Sequence, residues 1–287
     1  MTTSPRPRRE NVRAWGFLFP AFAWAVAFFV MPLAIMALYS IWKRVGMTLV
    51  REPTLANYEN FFAKSYFLQS LVNSIEVTVI VTIVSVLLAY PLAWILAEKV
   101  PPRWQRLALI MAILPFWTSY VVRSYSWLLV LSEGGIISNW LLAMGITDDP
   151  VSFANNRGAV VVGFVHFFVM LLTLTIYANL VQLPPGYRKA AADLGAGPVR
   201  TFIHVILPLT LPGIMVGAFL TFVLCIGDYI TPQILGGNRE LLLPQTIMLQ
   251  IARRSDFPMA SALAMVLMLV VTAVYFGFAR WLKLERM

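Results

Sequence analysis

Six stretches of this chain carry no charged side chain over sixteen residues or more: 14–42, 77–97, 107–122, 158–187, 201–227 and 257–279. A helix crossing the hydrocarbon core of a bilayer needs about 20 apolar residues at about 1.5 Å of rise each. Five of the runs, at 29, 21, 30, 27 and 23 residues, reach that length. The third has 16, holds Pro115 and is closed by Arg123. Because an arginine stem can reach an interface from within, this run reads as a tilted or broken span continuing toward Ser126. Backbone groups in lipid must be satisfied inside their own segment, which leaves helix for runs of this size. The reading is an all-α polytopic membrane protein with six transmembrane helices near 14–42, 75–97, 107–126, 158–183, 201–228 and 257–280. An N-terminal tail covers 1–13, and no soluble domain exceeds a loop.

Composition agrees: 60% of the residues are hydrophobic and 12% charged, against about 25% charged in a soluble domain. The single cysteine, Cys225, excludes an intrachain disulfide and a cysteine-built metal site. The net charge of +9 raises nucleic-acid binding as a possibility, but its distribution removes that partner. The tail (Arg6, Arg8, Arg9, Arg13), the second loop (Lys99, Arg103, Arg106), the fourth loop (Arg188, Lys189, Arg200) and the C-terminus (Arg280, Lys283, Arg286) hold 13 cations against Glu10, Glu98, Asp193 and Glu285. The other side balances, with nine of each sign. The whole excess is topological, and the positive-inside rule puts both termini in the cytoplasm. The first run far exceeds the 7–15 residues of a signal-peptide core and is expected to remain as a helix.

The outer loops, at 43–71, 124–157 and 229–256, hold Tyr58, Tyr66, Tyr125, Trp127, Trp140 and Tyr229, residues suited to an interface belt. Within the second, the apolar spacing of ISNWLLAMG predicts an amphipathic surface helix over 136–145, entered through Gly134 and Gly135. The cytoplasmic segment LPPGYRKAAADLGAGPVRTFIHVILPLTLPGI, Leu183 to Ile214, has its own grammar. Pro184 and Pro185 end the fourth span and suit the first turn of a helix, Tyr187, Ala190, Ala191 and Leu194 recur on one face, and Gly195 and Gly197 end it. Pro198 fits the start of the next helix. A short helix with small side chains is either a knob for a groove on a soluble partner or an Ala-rich turn between spans.

The run KAAADLGAGPVRTFIHVILPLTLPGI resembles the "EAA" loop of inner-membrane permease subunits of bacterial ATP-binding-cassette importers. Ala190, Ala191, Gly195, Phe202, Leu207 and Pro208 occupy the family positions. Lys189 departs from it, standing where the family has its glutamate. The chain is most similar to the spermidine/putrescine-type permeases, on TLANYENFF (Thr54–Phe62), ILPFWTSYVVRSYSW (Ile113–Trp127) and GDYITPQILGG (Gly227–Gly237). The resemblance implies the type I importer permease architecture and a coupling loop over 184–200, with Tyr187, Lys189, Ala190, Ala191, Asp193, Leu194, Gly195 and Ala196 facing the ATPase. It also implies a second, homologous permease as heterodimeric partner, two ATP-binding subunits that use ATP and magnesium, an extracytoplasmic solute-binding protein and a bacterial inner-membrane location.

Ionisable residues in a membrane zone are functional candidates by default. Asp228 and Tyr229, in a Gly- and Pro-flanked break, offer a carboxylate and an aromatic face to a passing ammonium, worth about 0.5–2 kcal/mol by cation–π attraction. Asp228 as a helix cap, or as partner to Arg123, is the equal alternative. Trp117, Tyr120, Tyr125 and Trp127 either line the outer mouth of a path or anchor at the interface, and Arg123 opposes a cation funnel unless Asp228 or Glu133 neutralises it. Glu76 reads as a helix N-terminal acid favoured by the dipole. His166 is either a cavity or proton-relay residue or a hydrogen-bonded packing residue, and His204, at the cytoplasmic end of the fifth helix, is either a coupling-region or a surface residue. Met259, Met265 and Met268 read as adaptable packing.

No G-x-x-x-x-G-K-[ST] loop is present to cradle phosphates, so this chain is expected to bind no cofactor itself and to catalyse nothing. The leading function is a permease subunit for a small solute, with a polyamine foremost and an amino acid derivative, phosphonate or metal complex as alternatives. A self-sufficient channel or ion-coupled secondary transporter built on Asp228, His166 and Glu76 is second. It wants acids at mid-membrane in two repeats, and here the acids sit at one edge with no repeat visible. A membrane-embedded enzyme, lacking a paired His and carboxylate constellation, is third.

Overall fold

The computed structural model describes residues 18–46, 48–237 and 240–282. The expected tail over 1–13 and the charges beyond 282 lie outside them. Six stretches are long and apolar enough to span a bilayer among the described residues. By its contacts the chain divides into two units, Met1–Lys64 with Ile247–Val266, and Ser65–Thr246 with Leu267–Met287.

In the first unit, α1 (Leu18–Ser40) leads into a hairpin of β1 (Lys43–Val45) and β2 (Thr48–Val50) with Lys43 opposite Val50. Helix α2 (Ala56–Ala63) follows. Asn57, buried on α2, donates to the carbonyls of Ser40 and Trp42, each at 2.8 Å, and so fastens the loop to the end of α1. A wide turn at Val26–Val30 precedes Pro32 in α1, and another at Phe202–Ile206 precedes Pro208. A proline ring collides with the carbonyl four residues back, and widening the turn relieves that clash without ending the helix.

The second unit is built on α3 (Ser65–Lys99), α7 (Arg157–Gln182) and α9 (Pro198–Gly227). Helix α3 begins ten residues before the expected start at 75; half of residues 65–74 are polar, and the Ser70 and Ser74 hydroxyls are satisfied by the Phe67 and Ser70 carbonyls of the same helix. Its buried residues, Phe67, Ser70, Asn73, Ser74, Val77, Thr78, Val81, Ser85, Ala89 and Ala93, form a stripe of mostly small side chains. Such stripes let membrane helices approach closely. On α9 the approach is closer still: a Cβ on Gly213 would lie 2.2 Å from the Asn179 side chain, and one on Gly217 2.8 Å from Leu172.

The third span departs from expectation. Helix α4 (Pro102–Ile113) passes into a tight turn at Leu114–Trp117, and α5 restarts at Tyr120 and runs to Leu131, five residues past Ser126. Pro115 interrupts the backbone ladder here. The stretch with spanning length and composition is Tyr120–Ala143 rather than 107–126, and it joins α5 to α6 (Ile136–Ala143), the helix anticipated over 136–145. Helix α8 (Gly186–Asp193) lies between α7 and α9. The chain closes with α10 (Ile230–Leu235), α11 (Leu243–Ala252) and α12 (Phe257–Leu282).

Candidate functional site

Two groups of residues stand at opposite ends of the helices of the second unit. The first is α8 with its flanks. Pro185 occupies the position before its first turn, and the C-terminus closes by a paired hydrogen-bond turn, Ala196 N to Ala191 O and Gly195 N to Ala192 O, each 2.9 Å. That turn places Gly195 at φ +77°, a left-handed conformation suited to glycine. Pro198 then opens α9. The four residues expected on one face divide: Ala191 is buried, whereas Tyr187, Ala190 and Leu194 are exposed, Leu194 at 88%. Lys189, Asp193 and Gly195 are also exposed, and Ala196 is half-buried. The sequence reading missed Arg188, whose guanidinium grips both carboxylate oxygens of Glu98 and lies 5.1 Å over the Trp94 ring. Burial draws its pKa below the ordinary arginine value, with the Tyr90 phenol opposing. The signal available in sequence was the four-residue spacing of Tyr90, Trp94 and Glu98.

The second group surrounds Asp228, which ends α9. Its carboxylate accepts from the Ile230 amide at 2.8 Å and the Thr231 amide at 3.4 Å, capping α10, and also from the Tyr120 hydroxyl. The cap alternative is the one realised, with Tyr120 added. Tyr120 and Asp228 together line a cavity of about 430 Å³ with Phe167, Phe168 and Leu224. Of the other path candidates, Trp117 (81%), Tyr125 and Tyr229 are exposed, as is Glu133 in the turn after α5, and no described contact joins them to this cavity.

Arg123 does not pair with Asp228 or Glu133. It is 8% exposed and donates to the carbonyls of Pro115 and Thr118 and to the Thr118 hydroxyl, with Phe116 and Phe167 rings 5.8 and 5.5 Å from its guanidinium carbon. The broken ladder at Pro115 frees carbonyls at a helix C-terminus, where a cation is favoured. Its role is to staple the break in the third span.

Trp127 is likewise no interface anchor. Its indole donates to His166 Nδ1 at 2.7 Å. Because an indole can only donate, Nδ1 is unprotonated and a neutral His166 carries its proton on Nε2. His166 is thus a hydrogen-bonded residue, on the wall of an apolar cavity of about 670 Å³ that also meets Val84 and Leu88. Glu76 lies eleven residues inside α3, not at its N-terminus, and pairs with Arg157 at 2.6 Å. Arg157 also meets Glu240 at 3.0 Å and Asn73 at 2.7 Å. His204 is exposed in the wide turn of α9 and bonds to the Arg200 carbonyl at 3.1 Å. No cluster of His, Cys, Asp and Glu suited to a metal occurs among the described residues.

Residues 65–284 match the model of the binding-protein-dependent transport system inner membrane component family. The chain is 32% identical to the spermidine/putrescine transport system permease protein PotB of Haemophilus influenzae, covering 92% of each. It is 32% identical to the inner membrane ABC transporter permease protein YdcU of Escherichia coli, over 82% of this chain and 77% of that one. A chain of a bacterial ABC transporter that imports the acidic polysaccharide alginate shares the fold at a TM-score of 0.77 and 14% identity, covering 97% of this chain and 98% of that one. The fold is that of type I ABC importer permeases. The protein is a multi-pass inner-membrane permease subunit, not an enzyme, and it works with a solute-binding protein and an ATPase. The chain belongs to the binding-protein-dependent transport system inner membrane component family.

Proposed function

We propose that this chain forms half of the translocation path for a polyamine such as spermidine or putrescine, paired with a second, homologous permease above two ATP-binding subunits. The observation that carries the solute is the 32% identity to PotB over 92% of both chains. The Asp228 cavity is compatible with it, since a carboxylate beside Tyr120, Phe167 and Phe168 offers charge pairing and aromatic faces to an ammonium. Helix α8, with both termini, faces the cytoplasm. Its exposed residues Tyr187, Lys189, Ala190, Asp193, Leu194 and Gly195, with half-buried Ala196 and buried Ala191 behind them, form the knob that receives motion from the ATPase. Closure of the ATPase dimer on nucleotide supplies the differential binding energy that shifts the helices between outward- and inward-open packings. ATP and magnesium are used by the ATPase.

The test is ATP hydrolysis by this chain reconstituted with its co-purifying partners, with candidate solutes and the solute-binding protein added. Stimulation by spermidine or putrescine is the expected result. Stimulation by another solute alone keeps the importer mechanism and removes the polyamine, and an assembly with no ATPase removes the coupling role of α8.

A further inference from the structure

Helix α8 has eight residues, too few to be stable in water without tertiary anchorage. It can transmit a push only through what it is fastened to. Its flanks are turns, Pro184–Pro185 on one side and Gly195–Gly197 on the other. Among the described residues, a single ion pair leaves it, from Arg188 to Glu98 at the end of α3.

That contact is built in layers. Tyr90, Trp94 and Glu98 follow one another at four-residue intervals, so they stack along one face of α3. The Trp94 ring seats the Arg188 guanidinium at 5.1 Å, and Glu98 takes both of its free edges in a two-pronged pair, a geometry lysine cannot reproduce. The first turns of α9 grip the same stripe. The Phe202 ring stands edge-on to Trp94 at 5.4 Å and to Tyr90 at 5.5 Å, and the Tyr90 hydroxyl meets Thr210 Oγ1 at 3.1 Å. Glu98 itself sits in the wide turn Ile95–Lys99, where α3 departs from regular α-helical geometry. The side chains of Arg188 and Glu98 are only 31% and 22% exposed, which limits screening by water.

We propose that the Arg188–Glu98 pair, seated on Trp94, is the tie through which α8 drives α3. Arg188 is then a positioning residue, pointing into its own chain, while its neighbour Lys189 is exposed on the knob. This rests on the reading of α8 as the coupling helix. A displacement of α8 is carried to α3 by the pair and to α9 by its backbone, and the Phe202 contact keeps the two helices in step.

The experiment measures solute uptake and ATP hydrolysis in the same proteoliposomes of the full complex. Glu98→Gln and Arg188→Gln are expected to assemble and to hydrolyse ATP at the basal rate, with uptake per ATP reduced at least tenfold. The reciprocal exchange, Glu98→Arg with Arg188→Glu, is expected to recover a third or more of the loss, although it sacrifices the cation over Trp94. Wild-type uptake per ATP in either single variant overturns the tie. So does a reciprocal exchange that assembles without recovery, and one that fails to assemble assigns the pair to folding alone and overturns it too. Uptake by the unaltered complex that needs no ATP strikes instead at the coupling reading beneath it.

Discussion

The two ends of the second unit are fastened in different ways. In the first half of α3, Ser74 Oγ accepts the Leu243 amide at 2.7 Å, Asn73 Nδ2 donates to the Leu241 carbonyl at 3.3 Å, and Arg157 gathers Glu76, Asn73 and Glu240. Several modest bonds hold residues 240–243, at the start of α11, and Arg157 of α7 against α3. Where α3 stops, one ion pair on one aromatic ring joins it to α8. A laced end spreads load over partners that substitute for one another, so it stays put. A short helix held by one ionic tie and a glycine turn, as α8 is, concentrates the load, which suits a joint that must move as a body.

The largest effect is expected at the joint. Gly195 sits at φ +77° with nothing within 4 Å of where a Cβ would go, so the obstacle to a side chain there is backbone strain alone. Left-handed geometry costs an L-residue about 1–2 kcal/mol, with β-branched residues the worst placed. Gly195→Val should leave the protein in the membrane and abolish solute-stimulated ATP hydrolysis in the reconstituted complex, while Gly195→Asn, which tolerates this region, should retain a substantial part. Full stimulation in the valine variant would remove the contrast between the ends.

At the laced end a buried member should affect stability more than transport. Ser74→Ala removes the acceptor of the buried Leu243 amide, and an orphaned buried donor costs about 1–3 kcal/mol. The detergent-solubilised melting temperature is expected to fall by several degrees with uptake per ATP unchanged. A fall in uptake per ATP at an unchanged melting temperature would make this end a moving part.

The spans were legible because hydrophobicity and charge spacing are properties of the chain read in one dimension. So was the turn at Gly195, since capping is local. In the third span the break is legible from Pro115, but its bounds and the place of Arg123 are not: the spanning stretch is Tyr120–Ala143, and Arg123 staples the break instead of reaching an interface. What stayed hidden were pairings between distant residues: Tyr120 with Asp228 across 108 positions, Arg188 with Glu98 across 90, and Arg157 with Glu76 across 81. Each partner has an ordinary reading of its own, as interface aromatic, helix cap or loop charge. Only the packing of small-residue stripes on α3 and α9 against α7 decides which of them meet.

The smallest effect belongs to Glu240. Its side chain is 50% exposed, and its partner Arg157 is also held by Glu76 and Asn73. Exposed pairs contribute about 0–1 kcal/mol, and removing one of three partners leaves the guanidinium paired. Glu240→Gln should therefore shift the melting temperature by no more than about a degree or two and leave transport unaltered. The informative variant is Glu76→Gln combined with Glu240→Gln, which leaves Arg157 with Asn73 alone. If the lacing is redundant, the double variant must lose more than the sum of the singles, because each carboxylate covers for the other's absence. Strict additivity would mean that the bonds act independently, and the first half of α3 would then be held by a set of separate contacts with no more reserve than the single tie to α8.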